Sequence, residues 1–194
     1  MMYTYYIKEG KFEVYDHSKI PYDKLHRIDG PALVGPSGTE EWYINGKRHR
    51  ENGPAITWAN GSEEWRVNGK LHREDGPAYI SVDFKSWWKN GKRHREDGPA
   101  CTDNRIGFIG WYINGVKHRI GGPAIKYLNG TKEWCINGKL HRLDGPAVIK
   151  KYGHKEYWIN GKKLNKKEVE TWIKNNNINL RTKQHQTLFM VKFR

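Results

Sequence analysis

The chain contains short runs in which apolar and polar residues alternate, each bounded by residues typical of turns. In residues 41–44, a period of two places Trp42 and Ile44 on one face and Glu41 and Tyr43 on the other. An Asn-Gly pair follows at once, and Asn-Gly between two alternating runs indicates a β-hairpin with a type I′ turn. A Gly-Pro-Ala segment then interrupts the next run, because proline cannot donate to a sheet. The pattern predicts a short hairpin.

The same unit recurs along the chain with a period of about 23 residues. Gly-Pro-Ala begins at Gly30, Gly53, Gly76, Gly98, Gly122 and Gly145, in steps of 23, 23, 22, 24 and 23 residues. A His-Arg pair begins four residues before each of these glycines, at His26, His49, His72, His94, His118 and His141. An Asn-Gly pair also recurs, and three residues before it stands an aromatic residue: Trp42, Trp65, Trp87, Trp111, Trp134 or Tyr157. Because stacked hairpins share a core that one hairpin lacks, we predict an all-β fold of about six repeats, forming an elongated sheet or a β-solenoid.

The two ends depart from the repeat. The first repeat is irregular, with residues 7–10 as its expected hairpin. Near the other end, Asn165 and Glu168 form a capping box, and the apolar spacing that follows predicts a short helix over residues 166–174 that covers the end of the stack. We expect residues 180–194 to form a strand that returns to the sheet. The predicted organisation is a repeat domain over residues 1–161 and a basic C-terminal cap and tail over residues 162–194.

The unit resembles the MORN (membrane occupation and recognition nexus) repeat, and more closely its variant form. The matching pattern is W-x-x-N-G-K-x-H, as in residues 65–72 and 134–141. The longer form, W-Y-x-N-G-K-x-H-R-E-D-G-P-A, is similar to repeat proteins of large bacteriophages and giant viruses. The resemblance covers residues 25–161 and implies a repeat scaffold. Ordinary MORN repeats continue with Gly-x-Gly after the histidine, whereas this chain continues with Arg, so lipid binding is not carried over.

The composition and the N-terminal sequence indicate the cellular compartment. The chain has 194 residues and a formal net charge of +14. Its two cysteines, Cys101 and Cys135, cannot form a disulfide framework, which favours a reducing compartment. No run of about 20 apolar residues occurs, and the N-terminus lacks the pattern of a signal peptide. We predict a cytoplasmic protein, in the host-cell cytoplasm if the chain is viral.

The six His-Arg pairs raise the question of catalysis. An aspartate stands three residues after four of these histidines, as a general base would require. An active site needs one asymmetric arrangement, however, whereas this feature repeats with the fold. The sequence therefore favours a structural role, in which the aspartate fixes the turn and the histidine packs or bonds to the backbone. No metal-ligand spacing and no phosphate-binding loop occurs, so we predict no enzyme activity, no metal and no cofactor.

The repeated basic residues are candidates for anion binding, because a stripe of them could track phosphates or hold an anionic nucleotide. These candidates are Arg50, Arg73, Arg95, Arg119, Arg142, Lys47, Lys70, Lys92 and Lys139. In the alternative, each arginine pairs with Glu51, Glu74, Glu96 or the Asp of its turn. Residues 162–194 carry seven Lys and two Arg against two Glu, which makes this tail the better site if a polyanion binds.

A second group of candidates suits protein binding. Residues expected to face away from the Trp row are Tyr43, Trp88, Tyr112 and Trp158; an aromatic face of this kind favours a protein partner, and it is core if both sheet faces are covered. The turns at Asp103, Asn104, Arg105 and Phe108 depart from the repeat, which marks a site or variation in a tolerant loop. We predict a non-enzymatic scaffold that binds a protein, as a viral or phage accessory factor engaging a host protein. The alternative is a binder of nucleic acid or an anionic nucleotide.

Overall fold

The computed structural model describes residues 22–194 and the backbone of two N-terminal strands, β1 (Tyr3–Lys8) and β2 (Lys11–Asp16). β1 pairs with β2 in antiparallel register, from Tyr3 opposite Asp16 to Lys8 opposite Lys11. The predicted turn at residues 9–10 lies outside the described residues. The chain forms two compact units, Met1–His94 and Arg95–Arg194. The predicted boundary after residue 161 lies within the second of these units.

The first unit contains an antiparallel meander and three separate hairpins. Its remaining strands are β3 (Leu33–Val34), β4 (Glu40–Glu41), β5 (Tyr43–Ile44), β6 (Lys47–Arg48), β7 (Ile56–Thr57), β8 (Glu63–Glu64), β9 (Arg66–Val67), β10 (Lys70–Leu71), β11 (Tyr79–Ile80), β12 (Phe84–Ser86), β13 (Trp88–Lys89) and β14 (Lys92–Arg93), after a 3₁₀ turn at Tyr22–Lys24. The meander has the order β2-β1-β3-β4-β7-β8-β11-β12. The hairpins are β5-β6, β9-β10 and β13-β14.

The second unit repeats this arrangement and adds two helices. Its elements are β15 (Cys101–Asp103), β16 (Phe108–Gly110), β17 (Tyr112–Ile113), β18 (Val116–Lys117), β19 (Ile125–Lys126), β20 (Lys132–Glu133), β21 (Cys135–Ile136), β22 (Lys139–Leu140), β23 (Val148–Ile149), β24 (Lys155–Glu156), β25 (Trp158–Ile159), β26 (Lys162–Lys163), α1 (Lys166–Asn175) and α2 (Lys183–Phe193), with a 3₁₀ turn at Lys151–Gly153. The meander runs β15-β16-β19-β20-β23-β24, and the hairpins are β17-β18, β21-β22 and β25-β26. The all-β prediction, with tandem hairpins and a C-terminal helix, is confirmed.

The Asn-Gly turns adopt the geometry that the sequence predicts. Asn137 and Gly138 have φ values of 50° and 79°, as a type I′ turn requires, and the asparagines at the equivalent position of the other repeats, Asn45, Asn68, Asn90, Asn114 and Asn160, also have positive φ. Where the preceding hairpin or strand end lies in the same unit, the turn also bonds to it, as at Gly46, Gly69, Gly91, Gly138 and Gly161. The backbone N–H of Gly138 donates to the carbonyl of Lys117 (2.9 Å), and that of Asn137 donates to Nδ1 of His118 (3.2 Å). Hairpin and neighbour therefore hold each other in register.

Small side chains form the centre of each repeat. The alanines of Gly-Pro-Ala are fully buried, at Ala32, Ala55, Ala78, Ala100, Ala124 and Ala147. The next residue is buried in most repeats, as Ile56 and Ile125 show. The tryptophan backbone closes the unit, since the N–H of Trp134 donates to the carbonyl of Ala147 (2.8 Å). A methyl-sized side chain at this position lets two hairpin layers approach, which explains the repeated alanine.

The C-terminal cap consists of two helices, of which the first was predicted and the second was not. Helix α1 begins where the capping box predicts, because the Asn165 side chain accepts a hydrogen bond from the backbone N–H of Glu168 (3.1 Å). The expected strand over residues 180–194 is wrong: α2 occupies this segment, with Thr182 as its N-cap. The rings of Phe189 and Phe193, four residues apart, lie 5.1 Å from centroid to centroid, which one turn of a helix permits, whereas four residues of a strand would separate them by about 13 Å. The helices share one core with the last repeat, formed by Tyr157, Ile159, Leu164, Val169, Leu180, Phe189 and Phe193.

All variation in repeat length falls in the meander turns. The tryptophan precedes the glycine of Gly-Pro-Ala by 11 residues in each of the pairs 42/53, 65/76, 87/98, 111/122 and 134/145. The 22-residue step instead removes one residue from the segment that contains the β11–β12 hairpin, and the 24-residue step adds one to the segment that contains the β15–β16 hairpin. Within the described residues, no helix is long and apolar enough to cross a membrane.

Candidate binding surfaces

Four of the repeat arginines stack on the tryptophan that begins their repeat. The guanidinium carbons of Arg50, Arg73, Arg119 and Arg142 lie 3.7–3.8 Å from the ring centroids of Trp42, Trp65, Trp111 and Trp134. Nη1 donates to the carbonyl of the proline in Gly-Pro-Ala, as from Arg27 to Pro31 (3.1 Å). The preceding glycine has no Cβ because the guanidinium occupies that place: at Gly53 a Cβ would lie 2.8 Å from Cζ of Arg50. The arginine row is therefore built into the fold.

Aspartate neutralises four of these arginines. Nε donates to the carboxylate two residues later in the pairs Arg27–Asp29, Arg73–Asp75, Arg95–Asp97 and Arg142–Asp144, at 2.6–2.9 Å. In each pair the hydrogen bond from the arginine lowers the pKa of the aspartate. The predicted alternative of paired arginines holds in these repeats. The position two residues after the arginine is Asn52 in the Arg50 repeat and Gly121 in the Arg119 repeat. Neither Arg50 nor Arg119 forms an ion pair with another described residue.

The histidines bond to the backbone, as predicted. Nδ1 accepts the N–H of the asparagine in the next hairpin for His26, His49, His72, His118 and His141, at 3.1–3.2 Å. The glutamates after the arginines face histidine: Nε2 of His72 lies 3.3 Å from Glu74, and Nε2 of His49 lies 3.8 Å from Glu51. Among the described residues, no group of three or more His, Cys, Asp or Glu side chains could hold a metal ion.

Equivalent grooves lie between successive arginines. One of about 370 Å³ is lined by Arg27, Trp42, Ile44 and Arg50, and one of about 570 Å³ by Arg50, Trp65, Val67 and Arg73. The second unit has a counterpart of about 410 Å³, lined by Arg95, Trp111, Ile113, Arg119 and Ile120. Each groove thus offers an aromatic floor between two guanidinium groups, while its glutamates and aspartates balance most of the positive charge.

The lysine candidates lie on the outer strand of the Asn-Gly hairpins. Lys47, Lys70, Lys92 and Lys139 are exposed, and in the described part of the chain none of them forms an ion pair. Their aliphatic stems follow the stack: a Cβ on Gly69 would lie 3.8 Å from Cβ of Lys47, and one on Gly91 would lie 3.6 Å from Cβ of Lys70. These lysines, unlike most of the arginines, present charge that no carboxylate offsets.

The predicted aromatic face is packed rather than exposed. Tyr43 is buried, and its hydroxyl donates a hydrogen bond to Glu41 (2.9 Å). Glu41 also accepts a hydrogen bond from Nε of Arg48 (2.8 Å). Burial raises the pKa of Tyr43. Trp88, Tyr112 and Trp158 are half-buried; the indole N–H groups of the two tryptophans donate to Ser86 and Glu156. Of the two alternatives for these aromatic residues, Tyr43 corresponds to core, whereas the other three keep part of their surface exposed.

The irregular turn of the second unit is also internally bonded. Asp103 is buried and accepts hydrogen bonds from the backbone and guanidinium of Arg105. Phe108 packs on Tyr127, with ring centroids 5.1 Å apart. Asn104 is exposed. A Cβ on Gly107 would lie 2.5 Å from Cβ of Leu128, so this turn rests on its neighbour. The residue insertion thus serves turn-to-turn packing.

An apolar groove on helix α2 was not predicted from the sequence. It has a volume of about 350 Å³ and is lined by Leu143, Lys183, Gln186, Thr187, Met190, Val191 and Arg194. Val191 is 76% exposed and Met190 36% exposed. The sequence does carry one sign of it, because Leu143 replaces the glutamate that follows the arginine in three other repeats.

No protein-family pattern and no characterised protein sequence matches the chain. The similarity to MORN repeats therefore remains a prediction, carried by the residues quoted for it. Function has to be argued from the surfaces themselves, because a repeat fold alone does not define an activity.

Proposed function

We propose that the protein is a non-enzymatic scaffold that binds a protein partner at the apolar groove on α2. The observation that carries this proposal is the exposure of Met190 and Val191 beside Leu143, next to a fully buried Phe189. Apolar side chains that line a concave surface and remain open to water are typical of interaction sites. The helix covers the end of the repeat core with one face and offers this groove with another.

The charges around the groove indicate the chemistry of the partner. Lys183 and Arg194 line it, and none of the described residues that line it is acidic. They stand at opposite ends of α2, about 16 Å apart at the helical rise of roughly 1.5 Å per residue. A partner segment that presents apolar side chains between acidic ones complements this arrangement. The similarity to phage and giant-virus repeat proteins points to a host protein as its source, with this chain as an accessory factor.

The test compares a double substitution with a single one on the same helix. Met190→Ser with Val191→Ser removes apolar surface from the groove, whereas Leu188→Ser removes an exposed apolar side chain that lies outside it. A photo-reactive side chain at Thr187 should cross-link a host protein in the wild type and in Leu188→Ser, and lose it in the double variant. Cross-linking that persists in the double variant, or that is absent from the wild type, would contradict the proposal.

A second candidate function is binding of a polyanion by the exposed lysines. Lys47, Lys70 and Lys92 occupy successive hairpins of the first unit without an ion pair among the described residues. Each repeat adds two strands to the meander, so successive lysines are about 9–10 Å apart at the usual strand spacing of roughly 4.8 Å. Such a row can contact phosphates along a nucleic acid.

Binding of labelled single-stranded DNA and RNA at two salt concentrations tests this second function. Changing Lys47, Lys70 and Lys92 to Gln should weaken binding and reduce its salt dependence by about three phosphate contacts. Changing Lys166, Lys167 and Lys174 to Gln removes the same charge from helix α1. Weaker binding by this second variant would assign the binding to the tail. Equal affinity of all three proteins, or no binding by the wild type, would exclude the lysine row as the site.

A further inference from the structure

Arg119 differs from every other repeat arginine in the residues that follow it. The two following residues are Ile28-Asp29, Glu51-Asn52, Glu74-Asp75, Glu96-Asp97, Ile120-Gly121 and Leu143-Asp144 along the chain. Five of these pairs include an acidic residue, whereas Ile120-Gly121 includes none. Arg119 is thus the one repeat arginine without a carboxylate in its own turn.

The side chain of Arg119 is nevertheless fixed as firmly as the others. Its Cζ lies 3.7 Å from the ring centroid of Trp111, and Nη1 donates to the carbonyl of Pro123 (3.2 Å). A Cβ on Gly122 would lie 3.0 Å from its Cζ. Nε and Nη2 have no acceptor among the described residues. The donors of a guanidinium fork are therefore held in place and open to a ligand.

The other repeats show which ligand these donors bind. In Arg142, Nε donates to Oδ1 of Asp144 (2.6 Å) and Nη2 to Oδ2 (3.3 Å), a bidentate contact. The corresponding position in the Arg119 repeat is Gly121, where no described residue beyond its two chain neighbours comes within 4 Å of an added Cβ. This repeat thus has the arginine of the pair but lacks the aspartate, so a carboxylate of another molecule can take that place.

We propose that Arg119 binds a carboxylate side chain of an acidic peptide segment in a partner protein, which rests on the function proposed above. The adjoining groove of about 410 Å³ has apolar walls at Trp111 and Ile113, and Ile120 at its edge is 81% exposed. These surfaces suit an Asp or Glu flanked by apolar residues. Glu96 and Asp97 also line the groove, Asp97 being paired with Arg95. Their charge favours a single carboxylate over a phosphate dianion.

The site lies one repeat from the groove on α2, since Leu143, which lines that groove, stands at the position of Ile120 in the next repeat. Both surfaces belong to the second unit and present apolar side chains beside basic ones. One acidic partner segment can therefore use both.

Two substitutions at one position test the proposal. Gly121→Asp supplies the carboxylate within the chain, and Gly121→Asn adds an uncharged side chain of the same shape. Gly121 has a φ of 74°, a conformation that Asp and Asn tolerate better than most residues, so both variants carry similar backbone strain. The Nε–H signals of Arg119 and Arg142 in NMR spectra of the full chain serve as the readout and the internal reference.

The probes are the capped tripeptide acetyl-Leu-Glu-Leu-amide and its Gln counterpart. The Glu probe should shift the Arg119 signal saturably and leave that of Arg142 unchanged, and the Gln probe should shift neither. Gly121→Asp should weaken binding at least tenfold, while Gly121→Asn should retain it. Equal responses to both probes, or full binding by Gly121→Asp, would overturn the proposal.

These outcomes separate the site from the proposed function. If the Glu probe fails at Arg119 while a partner still depends on Met190 and Val191, the carboxylate site is wrong and the scaffold function stands. If the probe binds and no partner depends on the α2 groove, the carboxylate site stands and the proposed function fails.

Discussion

The guanidinium carbon of Arg142 lies 3.8 Å from the ring centroid of Trp134, in a stack that recurs between equivalent residues of other repeats. The same guanidinium bonds to Asp144 and to the carbonyl of Pro146. One side chain thus connects the aromatic start of a repeat to the turn that ends it. Replacing the planar guanidinium group should weaken both the stacking on Trp134 and the bonds to the turn.

We expect Arg142→Lys to lower the free energy of unfolding by about 1–3 kcal/mol, because an ammonium group cannot reproduce the bidentate and stacked contacts. Urea unfolding followed by tryptophan fluorescence measures this change. Arg181→Lys is the matched control, since Arg181 is exposed and makes no ion pair with a described residue. A value for Arg142→Lys within about 0.5 kcal/mol of that control would show that the stack contributes little.

Gly53→Ala should be destabilising by about 1–3 kcal/mol, because its Cβ would lie 2.8 Å from Cζ and Nε of Arg50 and would displace the guanidinium. Gly35→Ala provides the comparison. A Cβ there would lie 3.6 Å from Cβ of Thr39, which is ordinary van der Waals contact. The two variants are compared by thermal unfolding. Similar midpoints for both would mean that the arginine can move aside without loss.

Glu156 should give the protein an acid-sensitive component of stability. Its carboxylate is 9% exposed and bonds to Lys150 (2.8 Å), which together with Trp158 and Lys163 lowers its pKa from 4.5 to about 2. A lowered pKa in the folded state stabilises the protein above the unfolded value, and this contribution is lost as the pH falls from about 4.5 through 2. Glu156→Gln should therefore be less stable than wild type at pH 7, with a smaller difference at pH 3.

Denaturant titrations of both proteins at these two pH values measure the difference. The paired aspartates also titrate in acid, but they are common to both proteins and cancel in the comparison. A difference between wild type and Glu156→Gln that is the same at pH 3 and pH 7 would contradict the assignment to Glu156.

Tyr152 occupies a backbone conformation that asparagine adopts more readily. Its φ is 69°, and its side chain is 91% exposed. Tyr152→Asn should raise the free energy of unfolding by about 0.5–1 kcal/mol, because a left-handed conformation costs most L-residues about 1–2 kcal/mol. Loss of the exposed contact with Lys151, 4.9 Å from the ring centroid, offsets part of this gain. Tyr152→Phe keeps the ring and the strain and should be neutral; a less stable Asn variant would refute the prediction.

Local signals predicted the parts of the fold that local chemistry determines. The Asn-Gly turns require positive φ at two successive residues, and the cap of α1 needs only Asn165 and Glu168. Helix α2 was missed because Leu188-Phe189-Met190-Val191 is a continuous apolar run, which is compatible with a strand. Its helical state depends on Phe189 and Phe193 packing with Trp172, and such tertiary contacts leave no short-range pattern.

The arginine row was predicted only in part, because spacing along the chain shows which residues recur and not which of them meet in the fold. Spacing identified the arginine row and its aspartate partners. It could not show that Arg50 lies over Trp42, because these residues stand eight positions apart and meet only when the hairpin has formed. For Tyr43 the alternation left two alternatives, an exposed face or core, and the structure places it in a buried cluster with Leu25, Ala32 and Leu33. Alternation shows which residues share a face and leaves open what covers it.

The constant spacing from tryptophan to glycine restricts how such a chain can change its length. An added residue between Trp111 and Arg119 would separate Arg119 from its ring, whereas the segment from Gly98 to Trp111, which contains the β15–β16 hairpin, already holds one residue more than most of its counterparts. Single insertions and deletions are thus confined to the meander turns. Elsewhere only a whole period can be gained or lost, since a junction between any two repeats rejoins the same partners. Unequal recombination between its own repeats would therefore give shorter and longer proteins that still fold.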